Sequence, residues 1–220
     1  MPTLAVLLVL PGLPRRRAFA RHAARAFLRT TGLKLEVRHL DRLPAGRCVL
    51  VSNHASYLDG LVYMAALPPR FGFVIKREMN GVPLAGLLLR RIGSEFVERF
   101  NRHKSGADAR RLLRTAQNGN SLGFFPEGTF APTPGVLKFH TGAFVIAARA
   151  GCTVVPAIIR GTRAAMPPGG IMLHPGRITI DVLEPLTVTH STQEAASNEL
   201  RERARAVILA NLDEPDLTTA

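Results

Sequence analysis

The segment Cys48-Val49-Leu50-Val51-Ser52-Asn53-His54-Ala55-Ser56-Tyr57-Leu58-Asp59-Gly60 decides how the rest of the chain is read. An apolar, β-prone run gives way to a polar turn, and the apolar spacing then lengthens to that of a helix over Leu58–Leu67. The turn sets a histidine five residues before an aspartate. Imidazole titrates near neutral pH and can take a proton from a hydroxyl; a neighbouring carboxylate can fix its tautomer and stabilise the imidazolium that forms. On a continuous helix these two side chains would stand about 140° apart, so pairing requires His54 to lie before the first helical turn. A plainer reading treats Ser56 as an N-cap and Asp59 as the acidic member of a capping box, which leaves Asn53 and His54 without a role.

Phe124-Phe125-Pro126-Glu127-Gly128-Thr129 repeats the layout of apolar strand and polar turn. Pro at the second and Gly at the fourth position suit a type I turn, which does not itself require Glu127. A carboxylate there can accept a substrate hydroxyl's hydrogen bond, and the glycine lets backbone amides approach an oxyanion or phosphate.

Working outward, strands are expected at Leu35–Leu40, Cys48–Ser52, Phe71–Ile75, Glu95–Arg99, Ser121–Phe125, Thr153–Ile159 and Arg177–Leu183. Helices are expected at Leu58–Leu67, Val82–Arg91, Lys104–Asn118, Thr141–Ala150 and Gln193–Asn211. The alternation implies a single α/β domain whose mixed, mostly parallel sheet is flanked by helices. In such sheets ligands sit beyond the carboxyl ends of strands, where both His54 and Glu127 fall.

Composition narrows the partners. The 220 residues, 46% of them hydrophobic, suffice for one domain with a real core. Lys+Arg outnumber Asp+Glu by 29 to 16, a formal charge of +13 that points to an anionic partner. Trp is absent and Tyr occurs twice, so base-stacking surfaces are scarce and nucleic acid is disfavoured. Cys48 and Cys152 lack metal-site or redox spacing and read as buried thiols. His22, His39, His103, His140, His174 and His190 show no metal-ligand spacing, and no phosphate-loop or dinucleotide fingerprint occurs; neither metal nor cofactor is expected.

The first 31 residues form a separate expectation. Leu4–Leu10 is apolar but too short to span a bilayer. The triplet Arg15, Arg16, Arg17 follows this run instead of preceding it, unlike a signal peptide. From Pro14 to Thr31 the helical pattern places Arg17, Arg21, Arg25 and Arg29 on one stripe, with Phe19, Ala20, Ala23, Ala24 and Phe27 opposite. Such a segment can lie on an anionic membrane surface with its arginines on lipid phosphates, ahead of a domain over residues 32–220.

Taken together, Asn53-His54-x-Ser56-x-x-Asp59-Gly60 and Phe125-Pro126-Glu127-Gly128-Thr129 resemble two blocks of the glycerolipid acyltransferase family. Gly93-Ser94-Glu95-Phe96-Val97-Glu98-Arg99 resembles the block between them, Val154-Val155-Pro156-Ala157-Ile158-Ile159 the last, and Lys76-Arg77-Glu78 a basic segment before the second. The resemblance implies a peripheral enzyme at the cytoplasmic face of the membrane that moves a fatty acyl group from acyl-CoA or acyl carrier protein to a lysolipid hydroxyl, most simply that of 1-acylglycerol-3-phosphate. It implies His54 as general base and Asp59 as its orienting partner. Glu127, Gly128 and Thr129 would position the acceptor, with nearby amides as an oxyanion hole, and Arg99 and Lys76 would hold its phosphate. The chain departs from the pattern at Phe130, where many members carry arginine, and at Glu95, whose carboxylate would oppose a phosphate. Two other classes fit the same residues: a non-catalytic module binding anionic lipid or nucleic acid, and a thioesterase-like hydrolase in which His54 activates water.

Overall fold

The computed structural model describes residues 2–98, 102–187 and 192–218. Its centre is a seven-stranded sheet built from β1 (Leu33–Arg38), β2 (Cys48–Ser52), β3 (Phe71–Lys76), β4 (Glu95–Val97), β5 (Ser121–Phe124), β6 (Thr153–Arg160) and β7 (Gly176–Val182). Their order is β1-β7-β6-β2-β5-β3-β4, and every pairing is parallel except β6 with β7. The helices are α1 (Pro2–Val9), α2 (Leu13–Thr30), α3 (Asp59–Ala66), α4 (Ala85–Arg91), α5 (Arg102–Gln117), α6 (Gly142–Ala150), α7 (Thr162–Ala165) and α8 (Gln193–Leu212).

Two faces of one sheet make two cores. Successive side chains of a strand point to opposite faces, and β2, buried along its whole length, divides accordingly. Val49 and Val51 pack with Phe144, Leu200 and Ile208 on the side of α6 and α8; Cys48 and Leu50 pack with Leu28, Val62 and Tyr63 on the side of α2 and α3. The near-continuous apolar runs of β2 and β6 follow from covering on both faces. Cys48 and Cys152 are buried and unbridged.

Element boundaries move where the backbone forbids continuation. β1 ends at Arg38 because His39 adopts a left-handed φ of 53°, which no strand accommodates. The helix expected from Val82 begins only at Ala85, after Pro83 and a Leu84 held at φ 60°. The strand expected at Glu95–Arg99 runs to Val97, and Arg99 lies outside the described residues.

The arginine stripe of α2 corrects an expectation. Arg17, Arg21 and Arg25 turn inward to protein carbonyls, where lipid phosphate was expected. Arg17 is 7% exposed and donates Nε to Ile92 O at 2.9 Å, Nη2 to Gly93 O at 3.1 Å and Nη1 to Arg70 O at 3.2 Å. Arg21 and Arg25 reach Ala65 O and Ala66 O, carbonyls at the carboxyl end of α3 that have no helical partner of their own. The cation also suits that negative end of the helix dipole. Burial pulls the Arg17 pKa down, with Glu95 acting in the opposite sense. Phe27, on the stripe opposite the arginines, is 41% exposed.

The apolar start of the chain is α1, seated through Leu7 against Ala20 and Ile92, with Arg91 Nε on Leu7 O at 2.9 Å. Val9 and Leu8 face outward. Among the described residues no helix is long and apolar enough to cross a membrane.

Replacing Arg17 with leucine keeps the stem's bulk but strands three carbonyls. Unfolding in urea is expected to show a loss of about 3 kcal/mol with an unchanged denaturant slope, since charge-assisted bonds to buried groups are the costly ones to lose.

Candidate active site

The parallel pairing of β2 with β5, in the register Val51 with Phe124, releases two chain segments side by side at the same end of the sheet. His54 follows one strand and Glu127 the other, so residues far apart in sequence share one turn cluster. The expected strand-end location holds for both.

His54 precedes α3, whose first residue is Asp59, as the pairing of the two side chains requires. Asp59 is fully buried, and its Oδ2 accepts three hydrogen bonds: from His54 Nδ1 at 2.7 Å, from the Ala55 amide at 2.7 Å and from the Ser56 amide at 3.0 Å. A carboxylate can only accept, so the proton of the neutral imidazole sits on Nδ1 and the lone pair on Nε2. Asp59 also opens α3, where the helix dipole favours a negative charge. Its other oxygen, Oδ1, has no hydrogen-bond partner among the described residues.

The capping box is therefore only half made. Asp59 reaches back to the Ser56 amide, but Ser56 stands ahead of the helix cap and its hydroxyl donates to Met166 O at 2.8 Å. That bond ties the histidine turn to the segment after α7.

Glu127 is placed differently from the expectation that it would meet substrate. It is 3% exposed; Oε1 accepts the His54 amide at 2.7 Å and Oε2 the Leu137 amide at 2.7 Å. Both oxygens are thus committed to backbone, and the side chain braces His54. Burial pushes its carboxyl up to about 7, assisted by the negative charges of Glu214 and Asp59 and resisted by the two amides. The turn itself closes by the Gly128 amide on Phe125 O at 3.0 Å, with Gly128 at φ 77°, a conformation that needs glycine. That amide is taken by the turn, which removes it from the expected oxyanion donors.

A cleft of about 330 Å³ opens in front of His54. Lys76 is the one cationic side chain among its described lining residues; Gly128, Thr129 and Phe130 line it too, beside an apolar interior that includes Leu61, Met64, Phe73, Leu88 and Leu89. Among the described residues no hydrogen bond or ion pair engages the Lys76 ammonium. Arg99 lies outside the described residues, so its expected phosphate contact has no structural account.

The two departures resolve in opposite ways. Glu95 points to α5, where it accepts from Arg111 Nε at 2.9 Å and from the Thr115 hydroxyl at 2.9 Å; it does not line the cleft. Phe130 sits directly at the site, its ring 4.8 Å from the His54 ring and steeply inclined at 76°.

Asn53, which the capping-box reading left without a role, fixes the turn to the sheet. It is 2% exposed and forms a two-way clamp with Ile159 on β6, donating Nδ2 to the carbonyl at 3.0 Å and accepting the amide at 2.8 Å. Phe125 stacks on His54 at 4.4 Å and 17°. Its position beside the Pro126 turn was visible in sequence; its partner was not. Among the described residues no cluster of side chains could hold a metal ion.

Residues 34–160 match the family model described as Acyltransferase. The chain is 32% identical over 157 residues to a chloroplastic 1-acyl-sn-glycerol-3-phosphate acyltransferase of Brassica napus, covering 70% of this chain and 45% of that one. It is 29% identical over 194 residues to the 1-acyl-sn-glycerol-3-phosphate acyltransferase of Haemophilus influenzae, covering 83% and 77%. The chain spans about half the length of the plant relatives it matches. Its fold is similar to the crystal structure of the 1-acyl-sn-glycerophosphate acyltransferase from Thermotoga maritima, with a TM-score of 0.79 at 22% identity over 96% of this chain and 86% of that one. With the family model covering more than half its length and the paired turns in place, the chain belongs to the acyltransferase family.

Proposed function

We propose that this protein transfers a fatty acyl group from an acyl thioester, carried by coenzyme A or acyl carrier protein, to the free hydroxyl of 1-acylglycerol-3-phosphate at a membrane surface. The observation that carries the reading is the His54 Nδ1 to Asp59 Oδ2 bond of 2.7 Å on a ring that lines an apolar cleft. That arrangement supplies a base with its lone pair on Nε2 and a surface suited to acyl chains.

In the reaction, Nε2 takes the proton of the acceptor hydroxyl as its oxygen attacks the thioester carbon. The tetrahedral intermediate collapses, the carbon–sulfur bond breaks, and the imidazolium returns the proton to the departing thiolate. Asp59 stabilises the imidazolium without itself being protonated. Lys76 attracts the acceptor phosphate as a flexible cation at the cleft wall. Glu127 acts one step removed, as a positioning residue that holds the His54 backbone. The exposed Leu8 and Val9 of α1 supply the apolar contact with the bilayer, over a chain whose net charge is +13.

Replacing His54 with alanine is expected to lower acyl transfer by about 10²–10⁴-fold, the range of general-base assistance, with the circular dichroism spectrum unchanged. The measurement is diacyl product formed from a labelled acyl thioester and 1-acylglycerol-3-phosphate; wild-type rates in this variant would remove His54 from the chemistry. Asp59→Asn is expected to lower kcat while sparing KM for the thioester, because it disturbs the tautomer instead of the binding.

Glu127 gives a pH signature. Its folded carboxyl titrates near 7 against an ordinary 4.5, so between those values the folded protein holds a proton that the unfolded chain has released. Stability from this group is greatest below that window and falls as pH rises through it, by about 3 kcal/mol at most. The urea midpoint of the wild type should therefore decline from pH 5 to pH 7.5 more steeply than that of Glu127→Gln. The same variant, which sets an amide N–H₂ against a backbone N–H, should lose about 100-fold in kcat through misplacement of His54.

A further inference from the structure

We infer that Phe130 and Tyr57 form an aromatic roof over the His54 imidazole that keeps water from the base and thereby sets the partition between acyl transfer and thioester hydrolysis; the inference rests on the acyltransferase reading above. The surroundings of His54 leave few other openings. Asp59 occupies Nδ1, Phe125 covers a ring face at 4.4 Å, Phe130 meets the ring at 4.8 Å, and Tyr57 meets Phe130 in turn at 4.9 Å and 83°. The His54 side chain keeps 18% of its surface exposed.

Neither roof ring is explained by the core. Phe130 and Tyr57 belong to none of the hydrophobic clusters, and Tyr57 is 63% exposed. Tyr57 lies in the histidine turn and Phe130 directly follows the glutamate turn, so their edge-to-face contact joins the two turns outside the sheet. Large apolar rings left at a cleft mouth serve what enters the cleft.

The chemistry gives them a task. Water and a lipid hydroxyl can use the same base: in either case the O–H proton passes to Nε2, oxygen bonds to the thioester carbon, the carbon–sulfur bond breaks, and the thiolate leaves with the proton returned from the imidazolium. With water the products are a carboxylic acid and a thiol; with the lipid they are an ester and a thiol. Selection rests on which hydroxyl reaches Nε2, and water is far more abundant. A water molecule under the Phe130 ring and the face of the Tyr57 ring forfeits hydrogen bonds it would make in bulk. A lysolipid brings an apolar chain that packs against the same rings. Excluding water is a recognised way for a closed site to suppress hydrolysis of an activated group.

The test follows labelled acyl thioester into free fatty acid and diacyl product with 1-acylglycerol-3-phosphate present. Phe130→Ala is expected to raise the free-acid share about tenfold, and Phe130→Leu to hold it near the wild-type share, because bulk and apolarity do the excluding. A folded Phe130→Ala variant whose share does not change, even if both rates fall, overturns the roof. Should that variant fail to fold, Tyr57→Ala decides, since its exposed ring can be removed without disturbing the core: a rise of about threefold supports the roof and an unchanged share overturns it. Wild-type protein that releases free acid and never acylates any lysolipid would overturn the acyltransferase reading itself, an outcome distinct from normal transfer with an insensitive partition.

Discussion

The pairing of β2 with β5 is the constraint from which the site follows, since without it the histidine turn and the glutamate turn would have no reason to meet. Both strands are central, and the parallel register brings Val51 opposite Phe124 so that the two chains leave the sheet together. Glu127 then closes the gap with its carboxylate, one oxygen on the His54 amide and the other on the Leu137 amide. On the far side of β2, Asn53 makes the equivalent tie to β6 through Ile159. The histidine turn is thus fixed on both sides, by Glu127 on the His54 amide and by the Asn53 side chain on β6.

Division of labour between the two carboxylates comes from how each is buried. Asp59 opens a helix and accepts a hydrogen bond from the imidazole Nδ1–H, so its charge answers the charge that appears on His54. Glu127 has both oxygens occupied by backbone amides and is displaced from the cleft lining; its ionisation bears on stability more than on contact with substrate. A sequence motif holding a histidine and two acids says nothing of this difference, because it depends on which donors surround each group.

The excess of arginine shows how composition and surface can part company. Arg17, Arg21, Arg25, Arg47 and Arg91 all spend guanidinium donors on main-chain carbonyls of other elements, and Arg77 and Arg111 hold the buried Asp108. Burial works against ionisation of Asp108, but the Glu98 amide and these two guanidiniums keep its carboxyl below the ordinary range. Much of the positive charge therefore stitches the fold together, which fits the planar, many-donor guanidinium better than it would an ammonium. A net charge read as a sign of anionic partners is in part an internal fastening.

Local pattern alone determined the strands and most helices, the α/β class and the strand-end position of both turns, because apolar periodicity and turn chemistry act over a few residues and need no distant partner. Tertiary structure decided what each turn faces. The inward arginines of α2 were indistinguishable from a membrane-facing stripe, since a helix with cations on one side looks the same whether that side meets phosphates or the carbonyl end of α3. Glu95 and Phe130 both broke the family pattern, yet Glu95 turns away to Arg111 while Phe130 lands on His54. Their different fates are set by long-range packing: the identity of a side chain constrains what it can bond to, and only the assembled sheet determines which partners come within reach.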